Sequence, residues 1–314
     1  MAQNETDSAF QVLSRKLINE HWDFYPTAGS RIGQHQYDGR IPDMSPAQNV
    51  RRVRELQGGL TALQGMNMAV LSDTGRMSYQ MMELFLRREL FTFNELKPLE
   101  NNPMRHMGVL NISGYIRRNY APSEDRLRSA ASVMRQAPEF LNVLDQALSK
   151  QLSSHVVDMS VESYSGMASF YRVDLADASN GITDSKIIKE FDQARETAAT
   201  ALDRFVERLK DRGNSGPEGF AIGSELYAGM LATGEGLDVP LSQIVAIGQA
   251  NLDDNLSQIK DVAQIIAPGR PVMEIVEEIA RNHPQPQALI YETKDMLEDI
   301  RQSQIGRASC RERV

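Results

Sequence analysis

Apolar residues recur along this chain at three- and four-residue steps, the spacing that gathers side chains on one face of an α-helix. Ile187, Phe191, Ala194, Ala198, Leu202, Phe205 and Leu209 form the cleanest stripe. Thr183 or Asp184 can open that helix by accepting from its free first-turn amides, and the pattern stops near Gly213. A second stripe, Leu241, Val245, Gly248, Leu252, Leu256, Ile259, Ala263 and Ile266, ends at Pro268-Gly269. Both predict helices of more than about five turns. Behind Ser45-Pro46, where serine can cap, proline suits the first helical position and Gln48 can complete a capping box, run Val50, Val53, Leu56, Leu60 and Leu63. Gly58-Gly59 weakens that helix locally. Tyr79, Met82, Leu86, Leu90 and Phe93 repeat the pattern, and Phe85 and Phe91 widen the apolar arc enough to predict a central helix. Ser123 with Glu124 and Asp125 opens another helix, and Pro138 is expected to start the next. Val272 to Ile279 and Ala288 to Ile300 supply two shorter ones around the breaker His283-Pro284-Gln285-Pro286.

Alternation of apolar and polar residues over a strand length is almost absent, and Ser154 to Val161 is the one ambiguous stretch. The expectation is an all-α, multi-helix array of about ten helices. No fixed-period repeat is visible, and no linker rich in Gly, Ser or charge divides the chain.

Composition adds exclusions. With 314 residues, 41% hydrophobic and 24% charged, the chain can bury a sizeable core and is not disordered in bulk. No run approaches the roughly 18 apolar residues of a membrane span, and Met1 to Ser8 lacks a signal-peptide pattern. The location read from the chain as written is cytoplasmic; an export signal upstream of Met1 would make it periplasmic or a lipoprotein. A net charge of −8 disfavours nucleic acid as a partner. Residues 304–314, Gln-Ile-Gly-Arg-Ala-Ser-Cys-Arg-Glu-Arg-Val, resemble a translated short-read sequencing adapter. Residues 1–303 are therefore expected to be native and 304–314 a non-native tail. Cys310, the only cysteine, falls in that tail, so the rest of the chain has no disulfide, no thiol nucleophile and no cysteine-type zinc site.

Candidate chemistry is sparse. The five histidines, His21, His35, His106, His155 and His283, form no His-Glu-x-x-His and no helical pair, so the chain is expected to hold neither a metal site nor a catalytic residue. Gly213, Gly216 and Gly219 read as a turn rather than a phosphate loop. Arg51, Arg52 and Arg54, and the Arg117-Arg118 pair, read as solvated, ion-paired faces. Met66, Met68, Met77, Met81, Met82, Met104 and Met107 read as flexible core filling. One segment stands apart: Gly33-Gln34-His35-Gln36-Tyr37-Asp38-Gly39-Arg40-Ile41-Pro42-Asp43-Met44-Ser45 packs an aromatic, two acids and an arginine into a loop before a capped helix. Tyr37, Asp38, Arg40 and Asp43 are the candidate substrate-binding residues. The competing structural role has Asp38 and Arg40 paired with each other or with a helix end, and Asp43 assisting the Ser45 cap.

This loop resembles the bacterial domain of unknown function 885 family, whose pattern is Gly-x-x-x-Tyr-Asp-x-Arg-Leu-Pro-Asp-x-Ser. Gly33, Tyr37, Asp38, Arg40, Pro42, Asp43 and Ser45 match, and Ile41 replaces the leucine. Phe220 to Tyr227 is similar to a second family segment. That family is similar to helical, zincin-type metallopeptidases, in which zinc would polarise a scissile carbonyl and activate water, with a glutamate as base. The metal motif expected in the family's C-terminal half has no counterpart here. The resemblance therefore implies the N-terminal lobe of a zinc-dependent hydrolase, a peptidase, walling one side of its substrate cleft. Its partners would be the C-terminal half of its own chain and a peptide substrate. The alternative is a non-catalytic all-α interaction or scaffold protein. A lobe separated from its partner half would expose an apolar patch larger than the roughly 300–600 Å² found on ordinary monomers.

Overall fold

The computed structural model describes the backbone of residues 2–214 and 221–311, with side chains from 5 to 212 and from 221 to 303. Thirteen α-helices follow in order among these residues. They are α1 (Ala2–Phe24), α2 (Pro26–Arg31), α3 (Pro46–Gln64), α4 (Asp73–Phe91), α5 (Pro98–Asn101), α6 (Ser113–Arg117) and α7 (Ser123–Ala147). After them come α8 (Ser154–Ser169), α9 (Ser185–Lys210), α10 (Ser224–Gly234), α11 (Leu241–Ile266), α12 (Val272–Ala280) and α13 (Leu289–Arg311). Two-residue strands, β1 (Gln151–Leu152) and β2 (Gly213–Asn214), pair in parallel. The protein is all-α, as its periodicity predicts. Contacts divide it into two units, Met1–Asp238 and Val239–Val314.

The larger core of the first unit lies where α9 packs against α7 and α8. Every residue of the predicted α9 stripe, from Ile187 to Leu209, is buried. Asp184 caps this helix, its carboxylate accepting from the amides of Lys186 and Ile187. At the other end, Arg208 and Arg212 reach the C-terminal turn of α7. Arg212 donates to the carbonyls of Asp145, Leu148 and Ser149, and both arginines pair with the Asp145 carboxylate, at 2.7 and 2.6 Å. These cations satisfy the carbonyls that a helix end leaves free.

Pro138 does not start a helix; it sits inside α7. Its missing amide and its ring cost a helix interior about 3 kcal/mol. The apolar residues on both sides of it, Met134, Ala137, Phe140 and Leu141, are buried in the core, and that packing offsets the lost bond. The ambiguous Ser154–Val161 stretch is the start of α8, where Ser160 returns its hydroxyl to the Val156 carbonyl at 2.5 Å and Tyr164 donates to Pro103 O at 2.8 Å.

A second core joins α1, α3 and α4 through Phe10, Leu17, Leu56, Leu63, Leu71, Tyr79 and Leu86. Gly59 has a packing reason: a Cβ there would lie 2.5 Å from Leu17 Cδ2, so the residue that weakens α3 lets α1 approach it. Two sequence readings need correction here. Arg52 is not solvated but buried, over the Phe24 ring and 3.5 Å from His21 Nδ1. Met68, Met77 and Met81 are exposed, whereas Met66, Met82 and Met107 do pack against the cores.

In the second unit α12 packs against α11, and Ala263 and Ile275 are buried. The rest of the α11 stripe behaves differently from that of α9: Val245, Leu252, Leu256, Ile259 and Ile266 are exposed, as are Met273, Ile290, Tyr291, Met296 and Leu297 on α12 and α13. Amphipathic spacing makes the helix; burial needs a covering surface as well. Helix α13 continues past the expected end at Ile300 as far as Arg311. Of the sequence readings, Gly216, Gly219 and Phe220 lie outside the described residues.

Leu202→Ala should lower the free energy of unfolding by about 2–5 kcal/mol. Leu252→Ala, on the exposed stripe, should change it by less than about 0.5 kcal/mol. Urea titrations followed by circular dichroism measure both, and equal losses would contradict the burial described.

Candidate functional site

The Gly33–Ser45 loop is docked onto α7. Gly39, with φ of +75°, turns there so closely that a Cβ would meet Ser132 Cβ at 3.1 Å, and its carbonyl accepts from Ser132 Oγ and Gln136 Nε2 at 2.8 and 2.9 Å. The Gly39 amide donates to the Tyr115 hydroxyl at 3.1 Å. The same helix fixes the opposite wall: buried Arg126 donates to the carbonyls of Tyr115 and Ala121, at 2.6 and 2.9 Å, holding the chain that carries Tyr115, Arg118 and Tyr120.

Asp38 lies between these walls. It accepts from Ser30 Oγ at 2.5 Å and Tyr120 Oη at 2.7 Å, and its second oxygen sits 3.2 Å from His35 Nδ1. The His35 and Tyr120 rings stack with centroids 3.8 Å apart. Burial, then the hydrogen bond to Asp38, raises the Tyr120 phenol above its ordinary range and keeps it a donor. Ser30 Oγ is also 3.1 Å from Tyr115 Oη, and Arg118 donates to the Arg31 carbonyl at 2.9 Å. The partners of Asp38, Ser30, His35 and Tyr120, line an open pocket of about 200 Å³ with Arg31, Tyr115, Arg118, Asn111 and Ser113. Its walls present two cationic side chains, Arg31 and Arg118, with imidazole, phenol and hydroxyl groups, suited to a polar ligand with acceptor oxygens.

The four sequence candidates do not converge. Asp38 is the hub of this network. Tyr37 is buried against Gly29, with the Arg40 guanidinium 5.1 Å from its ring centroid. Arg40 turns outward to Asp23 at 3.5 Å. Asp43 accepts from the Ser45 amide at 2.9 Å, the role of helping the α3 start, and borders a separate depression with Glu20, Asp23, Arg51 and Glu55. Ser45 itself makes no side-chain capping bond. Asp38 and Arg40 therefore answer to different partners. His35 falls inside the polar loop and Arg118 in the Arg117-Arg118 pair, but neither is among the four candidates, and nothing in the sequence marks Tyr115 and Tyr120.

Zinc does not fit this pocket. Among the described residues no group of three or more His, Cys, Asp or Glu side chains is arranged to hold a metal. His35 and Asp38 face each other, and their remaining neighbours are hydroxyls rather than the nitrogen, sulfur and carboxylate donors that zinc takes.

Beside the pocket runs a buried polar seam. His21 lies 3.8 Å from Glu89 and touches the rings of Trp22, Tyr25 and Phe85. Burial, then the charges of Arg52 and Arg88, lower its pKa to about 4. Burial also lowers His106 to about 4, with Arg105 adding to the effect and the Pro98 backbone opposing it. Glu89 is pushed up by burial, against the pull of Arg52, Arg88 and Arg105.

With this geometry in hand, the chain can be set beside known proteins. A model of the family described as bacterial protein of unknown function (DUF885) matches residues 26–307, and the chain belongs to that family. Among curated proteins none matches. A solved structure from Shewanella oneidensis, described as "a putative lipoprotein of unknown function", superposes with a TM-score of 0.73 at 18% identity, covering 93% of this chain. The chain spans 56% of that protein's length. At this identity the likeness establishes the fold.

Below the ordinary histidine pKa of 6.5, the unfolded chain binds protons that His21 and His106 refuse until about pH 4. Their contribution is thus complete above about pH 6.5 and lost as pH falls towards 4, by at most roughly 3 kcal/mol each. Glu89 has the opposite sign: its raised pKa costs stability as pH rises through it. Thermal melts from pH 7 to about 4 should show a steep fall that the His21→Gln, His106→Gln double variant flattens. An unchanged slope in that variant would contradict the buried, neutral assignment.

Proposed function

We propose that this chain is the N-terminal portion of a metal-dependent hydrolase, a peptidase, and that it forms one wall of the substrate cleft. The observation that carries this reading is the open pocket beside Asp38, whose donors and two arginines, Arg31 and Arg118, suit the carbonyls or terminal carboxylate of a peptide. Asp38 would act there as a positioning residue, ordering His35 and Tyr120 while they meet the ligand. Arg40 and Asp43 would border the substrate farther along, beside the depression that Asp43 lines.

Two further observations support an N-terminal portion. The chain corresponds to 56% of the Shewanella protein, and α11 to α13 carry apolar residues that stay exposed among the described residues. In the complete protein the C-terminal half would pack there and supply the zinc. The lipoprotein description of that structural neighbour supports a periplasmic or lipid-anchored location over a cytoplasmic one. No helix among the described residues is long and apolar enough to cross a membrane.

Arg118→Gln in the complete protein should raise KM for a peptide substrate about tenfold with kcat nearly unchanged, the signature of lost ground-state binding. Arg40→Ala should raise KM by less. Peptidase assays in which neither variant alters KM or kcat, with folding intact, would remove the substrate-wall reading.

A further inference from the structure

A second cavity, of about 440 Å³, is enclosed by α2, the C-terminal end of α4 and the turn segment Pro103–Leu110. It belongs to none of the readings above. Arg31, Arg88 and Arg105 line it, against the single carboxylate of Glu89. The Arg31 guanidinium donates to the Gly108 carbonyl, and that of Arg88 lies 5.9 Å from the Phe85 ring centroid. The Arg105 guanidinium has no hydrogen-bonded or ion-paired partner among the described residues. Two of the three cations thus present donors that the fold does not use, beside a low-dielectric floor where an anion would be held strongly.

The floor itself is unfinished. His106 is only 8% exposed, and its Nε2 is buried without a hydrogen-bond partner among the described residues. The same holds for Glu89 Oε2, which lies 3.8 Å from the neutral His21 ring at Nδ1. Leaving a buried polar atom unpaired costs roughly 1–3 kcal/mol, so two at one cavity call for an explanation. Met44 and Val109 supply an apolar wall beside them.

We propose that this cavity is a binding site for a small organic carboxylate that carries an apolar body and a hydrogen-bonding group. Arg88 and Arg105 hold the carboxylate, Met44 and Val109 cover the apolar part, and His106 meets the polar group. The lowered pKa of His106 agrees with this, because a neutral imidazole keeps a nitrogen lone pair for a ligand donor. The site stands independently of the hydrolase reading, since it needs neither a metal nor the Asp38 pocket.

N-acetyl-L-leucine is a suitable probe, with a carboxylate, an isobutyl group and an amide N–H; its uncharged amide, N-acetyl-L-leucinamide, is the control. Calorimetric titration of the 314-residue chain should give saturable binding of the acid at millimolar or lower concentration, and at least about tenfold weaker binding of the amide. The Arg88→Gln, Arg105→Gln double variant should lose about tenfold or more, while Arg117→Gln binds normally. Both arginines are exposed at the mouth, and circular dichroism verifies that the variant folds. No saturation by about 20 mM, equal binding of acid and amide, or undiminished binding by the double variant would each overturn the proposal. Binding of inorganic phosphate but not of N-acetyl-L-leucine would overturn it too, since the carboxylate and its apolar body would then play no part.

Discussion

The packing of α9 along α7 is the constraint on which the first unit depends. An uninterrupted apolar face on α9 packs along α7, nine of whose apolar residues are buried, and two arginines at and just beyond the end of α9 close the C-terminal turn of α7 through Asp145. Held in this way, α7 can carry a proline in its interior without breaking. It also becomes a fixed rail: Arg126 on one turn anchors the Tyr115–Tyr120 segment, and Ser132 and Gln136 farther along receive the Gly39 turn. The pocket exists because two irregular segments dock onto the same helix.

Between the two apolar cores the chain places its difficult polar groups. Asp38 lies at the rim, where three donors satisfy it. Deeper in, beside His21, Arg52 Nε, Glu89 Oε2 and His106 Nε2 are buried without hydrogen-bond partners among the described residues. The shifts of His21, His106 and Glu89 follow first from desolvation, and both histidines are held neutral as a result. The seam therefore trades stability for polarity at the level where α1, α3, α4 and the Pro103–Leu110 segment meet, and the trade is concentrated beside two cavities rather than spread over the core.

Much of this fold was legible in the chain. The α9 stripe, its cap at Thr183 or Asp184, and the break between α11 and α12 follow from local spacing and capping alone. Pro138 misled because a local rule was overruled by packing from α9, which lies some fifty residues on. Arg52 misled because burial depends on which helices come to surround a residue. The exposed α11 stripe marks the same limit from the other side: periodicity tells which face is apolar but not what covers it. At the site, Asp38 stood out as part of a polar loop that also holds its partner His35, whereas the tyrosines that complete the pocket were invisible. Tyr115 and Tyr120 sit in an unremarkable stretch and reach the loop across 76 to 85 residues. Arg40 and Asp43, neighbours of Asp38 in sequence, leave for other faces because the turn at Gly39 redirects the chain.

The central claim is that Asp38 pins two segments of the rail together without being part of the core. Hydrogen–deuterium exchange on Asp38→Asn tests it most directly. Amides of residues 33–45 and 113–121 should lose protection relative to wild type while those of α7 and α9 keep theirs. Unchanged protection in both segments, or loss that spreads equally through α7 and α9, would contradict the account.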